Sequence, residues 1–297
     1  MVLAAGLGSR LRPLTEILPK PLVPVGDRPA LAHVLDRLAE AGLARVVVNA
    51  HHGRDQLQRF LEARGVVMSA EPDLLGTAGG VANASPLLGP GDILIWNADI
   101  LARVDIGALI AAHRGDPPRA ATLVVQPRER GAGSVGLDAD GRVVRLRTQR
   151  VDEETRGGEF LGVHVLSERL RKGLPERGCL VGDVYIPAMK HGARLQAFEC
   201  EAPFFDIGTV DRYLEANLDW LASRGLSSWV DRGAVLAPGV TLDGTLVGAA
   251  AAVSGDGTLE RCVVWPGASV DAPLADAVVA PGYIVRAAAV LKHVASP

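Results

Sequence analysis

The feature that most constrains this chain is an alternation of β-like runs with helical stripes. Met1 to Ala5 is an apolar run. Residues 29–41 place Leu31, Val34, Leu35, Leu38 and Ala41 on one helical face, and Gly42 ends it. Val46 to Val48 reads as a strand that stops at Asn49. A helix over 56–63 follows, then a strand at 66–68, a helix over 81–88 containing Pro86, a strand at 93–96 and a helix over 106–113. Such βαβαβ order predicts an α/β fold: a Rossmann-like, mostly parallel mixed sheet with helices on both faces. Ligands of these sheets bind beyond the carboxyl ends of the strands, here at Ala5, Asn49 and Asn97.

From Thr122 the pattern becomes β-rich. Runs at 122–125, 134–138, 143–146 and 160–166 alternate with turn residues, and Asp140-Gly141 marks a hairpin. A helix is expected over 181–189, strands at 195–199 and 204–205, and a helix over 211–223. Composition shifts at Gly225-Leu226-Ser227-Ser228. The remainder is rich in Gly, Ala, Val and Pro, and Ala237-Pro238-Gly239, Trp265-Pro266-Gly267 and Ala280-Pro281-Gly282 punctuate it. Val235, Val240, Leu246, Val263, Val264, Val270, Val278 and Val279 recur along it. The boundaries that follow are a domain over 1–225 and a smaller one over 226–297, a division that suits 297 residues.

Composition excludes some partners. Net charge is −3, so bulk charge favours neither nucleic acid nor a membrane surface. Cys179, Cys200 and Cys262 are widely spaced and form no CxxC, which predicts free thiols in a reducing compartment. No basic leader with an apolar core opens the chain, and no run spans a bilayer without charge. The expectation is a cytoplasmic enzyme with no nucleic-acid or membrane partner.

The chemistry is concentrated in Leu3-Ala4-Ala5-Gly6-Leu7-Gly8-Ser9-Arg10-Leu11-Arg12-Pro13-Leu14-Thr15 and in Pro19-Lys20-Pro21. A strand that runs into a Gly-rich turn offers backbone N–H groups to phosphate. Gly6 and Gly8 allow close approach and positive φ. Arg10 and Arg12 add charge in a planar fork. Lys20 lies between two prolines that stiffen its loop. A dinucleotide fingerprint would need a third Gly where Leu11 stands, and a P-loop would need Gly-Lys-Ser/Thr.

The whole string, Gly-x-Gly-Ser-Arg-Leu-x-Pro-Leu-Thr and then Pro-Lys-Pro, resembles the signature of the sugar-1-phosphate nucleotidylyltransferases. The resemblance implies attack by a sugar-1-phosphate oxygen on the α-phosphorus of a nucleoside triphosphate, with pyrophosphate leaving. Arg10 and Lys20 carry over as phosphate-binding and catalytic, and residues Leu3, Ala4, Ala5, Gly6, Gly8, Ser9 and Arg10 as nucleotide-binding. Asp99, in Trp96-Asn97-Ala98-Asp99, and Asp206, in Phe205-Asp206-Ile207-Gly208-Thr209, match the carboxylates expected to hold Mg²⁺. The family usually has Gly where Ala98 stands. Gly76-Thr77-Ala78-Gly79-Gly80 matches the glycine run that meets the nucleobase, which assigns Thr77, Gly79 and Gly80 to the nucleotide. Each of these also has a structural reading: Asp99 as a turn cap, Thr77 and Thr209 as helix caps.

On the sugar side the resemblance assigns Gly133 and Glu159, with Lys20 and Asp206 also meeting the sugar phosphate. Relatives carry Glu-Lys-Pro where this chain has Leu146-Arg147-Thr148. Arg147 either replaces that lysine or, with Arg145, Arg150 and Arg156, belongs to a solvated loop. His51-His52 read as loop residues near the nucleotide, with Asn49, and not as metal ligands. The tail resembles the hexapeptide left-handed β-helix of many of these enzymes in degenerate form, and it is the expected route to a homo-oligomer. Gly-Thr-Ala-Gly-Gly and the tail are most similar to mannose-1-phosphate guanylyltransferases, while Asn49-Ala50-His51 resembles N-acetylmuramate-1-phosphate uridylyltransferases. Glucose-1-phosphate thymidylyl transfer and a non-catalytic nucleotide-sugar-binding subunit are the remaining alternatives.

Overall fold

In a computed structural model of the chain, residues 1–43, 45–115 and 118–287 are described. They form two compact units, Met1–Leu7 with Val34–Phe204, and Gly8–His33 with Phe205 onward.

The first unit is a mixed α/β body. Its ten-stranded sheet contains Val2–Leu3, third from one edge, hydrogen-bonded in parallel to Val47–Ala50 on one side and to Ile93–Asn97 on the other. Val67–Ala70 extends it in parallel beyond Val47–Ala50. The other half is mainly antiparallel. The long strand Arg156–Leu166 pairs with Ile93–Asn97, Ala121–Arg128 and Val135–Leu137. Leu195–Glu199 adds to Ala121–Arg128 in parallel. The inner parallel strands are mostly apolar and buried, with Val2, Val47, Val48, Ile95 and Trp96 all in the core, whereas Val67 on the edge strand is exposed.

The helices follow the expected stripes with boundary shifts: Ala30–Glu40, Arg54–Glu62 and Ile106–His113, the last capped by Asp105 accepting from the Ala108 N–H. One helix departs from expectation. It spans Gly76–Leu88, not 81–88, so the glycine run lies inside the helix and Pro86 falls in its last turn without breaking it. Tertiary packing explains this. A Cβ on Gly79 would lie 2.4 Å from the Glu176 carbonyl, and one on Gly80 would lie 2.6 Å from both Asn49 Nδ2 and Glu71 Oε1. Glycine there allows the helix to approach, and the approach outweighs its poor propensity. The expected 181–189 helix is two consecutive pieces, Leu180–Tyr185 and Ile186–Lys190. Pro187 opens the second, where its missing N–H costs nothing.

The second unit contains the turns around Lys20, a hairpin of Pro24–Val25 with Arg28–Pro29, the helix Val210–Ala222 and the tail. The tail strands are parallel. Trp229 pairs with Leu246, Leu246 with Val263, and Val263 with Val278. Bonds such as Cys262 N–H to Thr245 Oγ1 join positions 17 residues apart. Val247, Val253, Leu259, Val264, Val270 and Val279 fill its interior. Val235, one of the recurring tail residues, is 68% exposed. Tyr283–Arg286 ends the stack by pairing antiparallel with Ser269–Ala280.

Candidate active site

The opening strand, Val2–Leu3, ends beside two partners. Ala98 N–H donates to the Leu3 carbonyl at 2.9 Å, and Ala4 N–H donates to Asn49 Oδ1 at 2.7 Å. Ala5 is buried and Gly6 is exposed. A Cβ on Gly6 would meet nothing within 4 Å. Gly6 therefore owes its place to something other than packing. Gly8 differs: its φ is +63°, and a Cβ there would lie 2.8 Å from Thr15 Cγ2. Only one of the two glycines needs the left-handed backbone.

Asn49 is not an available loop residue. It is buried, and its Nδ2 donates to Glu71 Oε1 at 2.6 Å. Glu71 Oε2 in turn accepts from the Leu75 N–H at 3.2 Å, at the start of the Gly76–Leu88 helix. A carboxylate there satisfies an otherwise orphaned helical N–H and complements the helix dipole. Sequence reasoning passed over Glu71; its signal was an acid directly after the strand Val67–Ala70, which runs parallel to the Val47–Ala50 strand that carries Asn49. His51 Nδ1 lies 3.1 Å from the Glu71 carbonyl, a structural contact. Thr77 does not cap its own helix. Its hydroxyl accepts from the Leu180 N–H at 2.8 Å, and the N-cap is Leu75. Gly79 and Gly80 are buried against Glu176, Asn49 and Glu71.

Asp99 follows the strand Ile93–Asn97 and is half-buried. Ala98 has no positive φ, so replacing the family's glycine costs no backbone strain.

Gly133 (φ +70°) turns tightly against Gly158, whose carbonyl would lie 2.3 Å from an added Cβ. Both Glu159 oxygens are engaged by Ser134, Oε2 from its N–H and Oε1 from its hydroxyl, each at 3.1 Å. Arg145 is not solvated. Its buried guanidinium donates Nε to Glu154 Oε2 at 2.6 Å, Nη1 to the Gly133 carbonyl at 3.0 Å and to the Arg147 carbonyl at 3.1 Å, and Nη2 to the carbonyls of Ala132 and Val135. Arg147 is exposed at φ +54°, and its Nη2 donates to Cys179 Sγ at 3.3 Å. Burial pushes the Cys179 thiol up, but the backbone N–H groups of Gly182 and Val181, and then the Arg147 guanidinium, together draw it below its ordinary value.

In the second unit, Ser9–Leu11 forms a tight turn that places Arg10 at the surface. Lys20 opens another turn and is buried, with only 8% of its surface exposed. Its Nζ donates to Asp206 Oδ1 at 3.4 Å, and Arg10 Nη2 lies 3.6 Å from Asp206 Oδ2. Gly208 makes room for them, since a Cβ would lie 2.5 Å from Arg10 Nη2 and 2.8 Å from Asp206 Oδ1. Thr209 then caps the Val210–Ala222 helix, accepting from the Arg212 N–H. The exposed Arg10 pair adds little stability. Two cations around one carboxylate, one of them buried, form a centre that an incoming phosphate can enter by sharing the cations.

A lysine–arginine–aspartate cluster of this kind suits the binding of phosphate esters. The profile described as Nucleotidyl transferase matches residues 1–223. The chain belongs to that family, the sugar-1-phosphate nucleotidylyltransferases. Among its relatives, the mannose-1-phosphate guanylyltransferase of Mycobacterium tuberculosis is 27% identical over 293 residues, covering 92% of this chain and 81% of that protein. The N-acetylmuramate alpha-1-phosphate uridylyltransferase of Neisseria meningitidis is 33% identical, covering 73% of this chain and 95% of that protein. Among solved structures, HddC from Yersinia pseudotuberculosis complexed with GMP-PN has a TM-score of 0.62 at 22% identity, over 74% of this chain and 97% of its own, and shares the fold. No described helix is long and apolar enough to cross a membrane.

Proposed function

We propose that this enzyme transfers a guanylyl group from GTP to mannose 1-phosphate, releasing pyrophosphate. The observation that carries the choice of substrate is coverage. The guanylyltransferase match runs through most of the chain, tail included, whereas the uridylyltransferase match covers 73% of it. Uridylyl transfer to N-acetylmuramate 1-phosphate is the second reading, favoured by the higher identity of that relative.

The nucleophile is already an anion, so the chemistry needs charge neutralisation and alignment more than a base. In this reading Leu3 to Gly6, Gly8, Ser9 and Arg10 receive the triphosphate, and the open space at Gly6 supports backbone approach. Lys20 binds the reacting phosphates and stabilises charge as it develops. Thr77, Gly79 and Gly80 hold the segment that meets the base, and Gly133 and Glu159 form the turn that meets the sugar.

Asp99 and Asp206 fit Mg²⁺ by donor type: carboxylate oxygens, with phosphate and water completing the shell. Among the described residues no group of three acidic, His or Cys side chains forms a ready-made cage. When bound, Mg²⁺ supplies Lewis-acid neutralisation of the phosphate oxygens. Residues 1–225 are proposed as the catalytic domain. Residues 226–297, whose description ends at 287, are proposed as a degenerate left-handed β-helix and a surface for self-association.

The test is pyrophosphate release over GTP, UTP, dTTP, CTP and ATP with several sugar 1-phosphates and Mg²⁺. GTP with mannose 1-phosphate should give the highest kcat/KM. UTP with N-acetylmuramate 1-phosphate leading would select the second reading, and no release from any pair would refute turnover.

A further inference from the structure

The turn that carries Lys20 packs in the same compact unit as the tail. A chain of buried polar contacts joins them. Trp265, in the tail between two long strands, is 1% exposed, and its backbone N–H donates to the Val279 carbonyl at 2.7 Å. Its indole Nε1–H donates to the Tyr213 hydroxyl at 3.0 Å. Tyr213, fully buried on the Val210–Ala222 helix, donates that hydroxyl to the Pro24 carbonyl.

Two further contacts fix the same hairpin. Gly26 N–H donates to Asn217 Oδ1 at 2.9 Å. Trp220 lies so close to Gly26 that a Cβ there would be 2.0 Å from the indole. Lys20 is the next turn back, and its carbonyl accepts from the Val23 N–H at 3.3 Å. At its other end the same helix follows Asp206, through Ile207, Gly208 and the Thr209 cap. The helix therefore holds both members of the Lys20–Asp206 pair, one through Pro24 and Gly26 and the other through direct continuity.

We propose that Trp265, acting through Tyr213, is a positioning residue for Lys20, so that the tail sets the geometry of the phosphate-binding lysine. A buried hydroxyl and a buried indole N–H each need a partner, and here each satisfies the other and the Pro24 carbonyl. Removing the indole N–H takes one of the two side-chain donors from the Tyr213 hydroxyl and leaves it Asn217. Removing the hydroxyl leaves both the indole and the Pro24 carbonyl unpaired.

The catalytic arm of the test rests on the proposed role of Lys20; the labelling arm does not. The full chain has four lysines, and the exposed Lys172 is an internal reference. Acylation by acetic anhydride, read by mass spectrometry, should be faster at Lys20 relative to Lys172 in Trp265→Phe and Tyr213→Phe by about fivefold, the factor one neutral hydrogen bond carries. The tail-core variant Leu259→Ala, with denaturant adjusted to match stability, should leave that ratio unchanged. In turnover, kcat should fall in the two ring variants while the nucleotide KM stays constant. An unchanged Lys20 ratio in both ring variants, or an equal rise in Leu259→Ala, overturns the inference. A shifted ratio in a protein that releases no pyrophosphate supports the positioning role and removes the catalytic reading alone.

Discussion

Replacing Arg145 by methionine should destabilise the first unit by about 3–5 kcal/mol, the range for breaking a buried ion pair from one side. The structure supports the lower half of that range. Arg145 loses one charged bond, to Glu154 Oε2 at 2.6 Å, and leaves four carbonyls without its donors. Two features offset this. Arg150 Nη2 remains 3.3 Å from Glu154 Oε1, and the turn at Ala132 and Gly133 is exposed, so water reaches its carbonyls. Urea unfolding followed by circular dichroism should show a lower midpoint with an unchanged slope. The double variant Arg145→Met/Glu154→Leu should recover most of the loss, because no charge is then left buried alone. A loss below about 1 kcal/mol in the single variant, the value of an exposed pair, would refute the argument. The same variant loosens the Gly133–Ser134 turn. If that turn meets the sugar, the KM for sugar 1-phosphate should rise while that for the nucleotide holds.

His164 lies in the core between the Phe160 and Tyr185 rings with neither ring nitrogen hydrogen-bonded among the described residues, and burial lowers its pKa to about 3. The unfolded chain protonates this group first, so its contribution is complete above pH 6.5 and lost progressively down to about 3. Between pH 7 and 5 the loss should be roughly 2 kcal/mol, and His164→Phe should flatten that part of the stability profile; an unchanged slope would contradict it. Gly79→Ala should lower the melting temperature despite alanine's better helix propensity, because its Cβ meets the Glu176 carbonyl. Gly6→Ala should melt like the parent yet raise the nucleotide KM by about tenfold, one lost backbone contact to phosphate; an unaltered KM would place the triphosphate elsewhere. Lys20→Ala and Asp99→Asn should each lower kcat by about 100-fold or more with circular dichroism unchanged, and near-normal turnover in either would remove that residue from the site.

The parallel half of the sheet could be read from the chain because its strands are short apolar runs between amphipathic helices, a pattern set by local periodicity. The helix from Gly76 could not. A glycine run reads as a breaker, and what overrides it is the proximity of Glu176, Asn49 and Glu71, which no local window contains. Arg145 was obscured for a related reason. Among neighbouring arginines its charge suggested solvent, and only the return of the chain at Glu154 buries it. The signature residues stood out by motif, but the partners that hold them were legible only once the fold brought distant segments together. Asn49 and Glu71 illustrate this: each is ordinary in sequence, yet together they link the end of the first strand to the start of the glycine helix.

The bonds that hold the hairpin next to Lys20 have a consequence for how the protein is made. Tyr213 reaches Pro24 across 189 residues of chain, and Asn217 reaches Gly26 across 191. Contacts of such separation form late, because a long loop must close before they are rewarded. During synthesis the signature leaves the ribosome before the strands that follow it, the helix that clamps the nearby hairpin emerges after the whole sheet, and Trp265 later still. A nascent or truncated chain can complete the sheet and still lack an ordered Lys20, so the Lys20–Asp206 pair forms as one of the last events of folding.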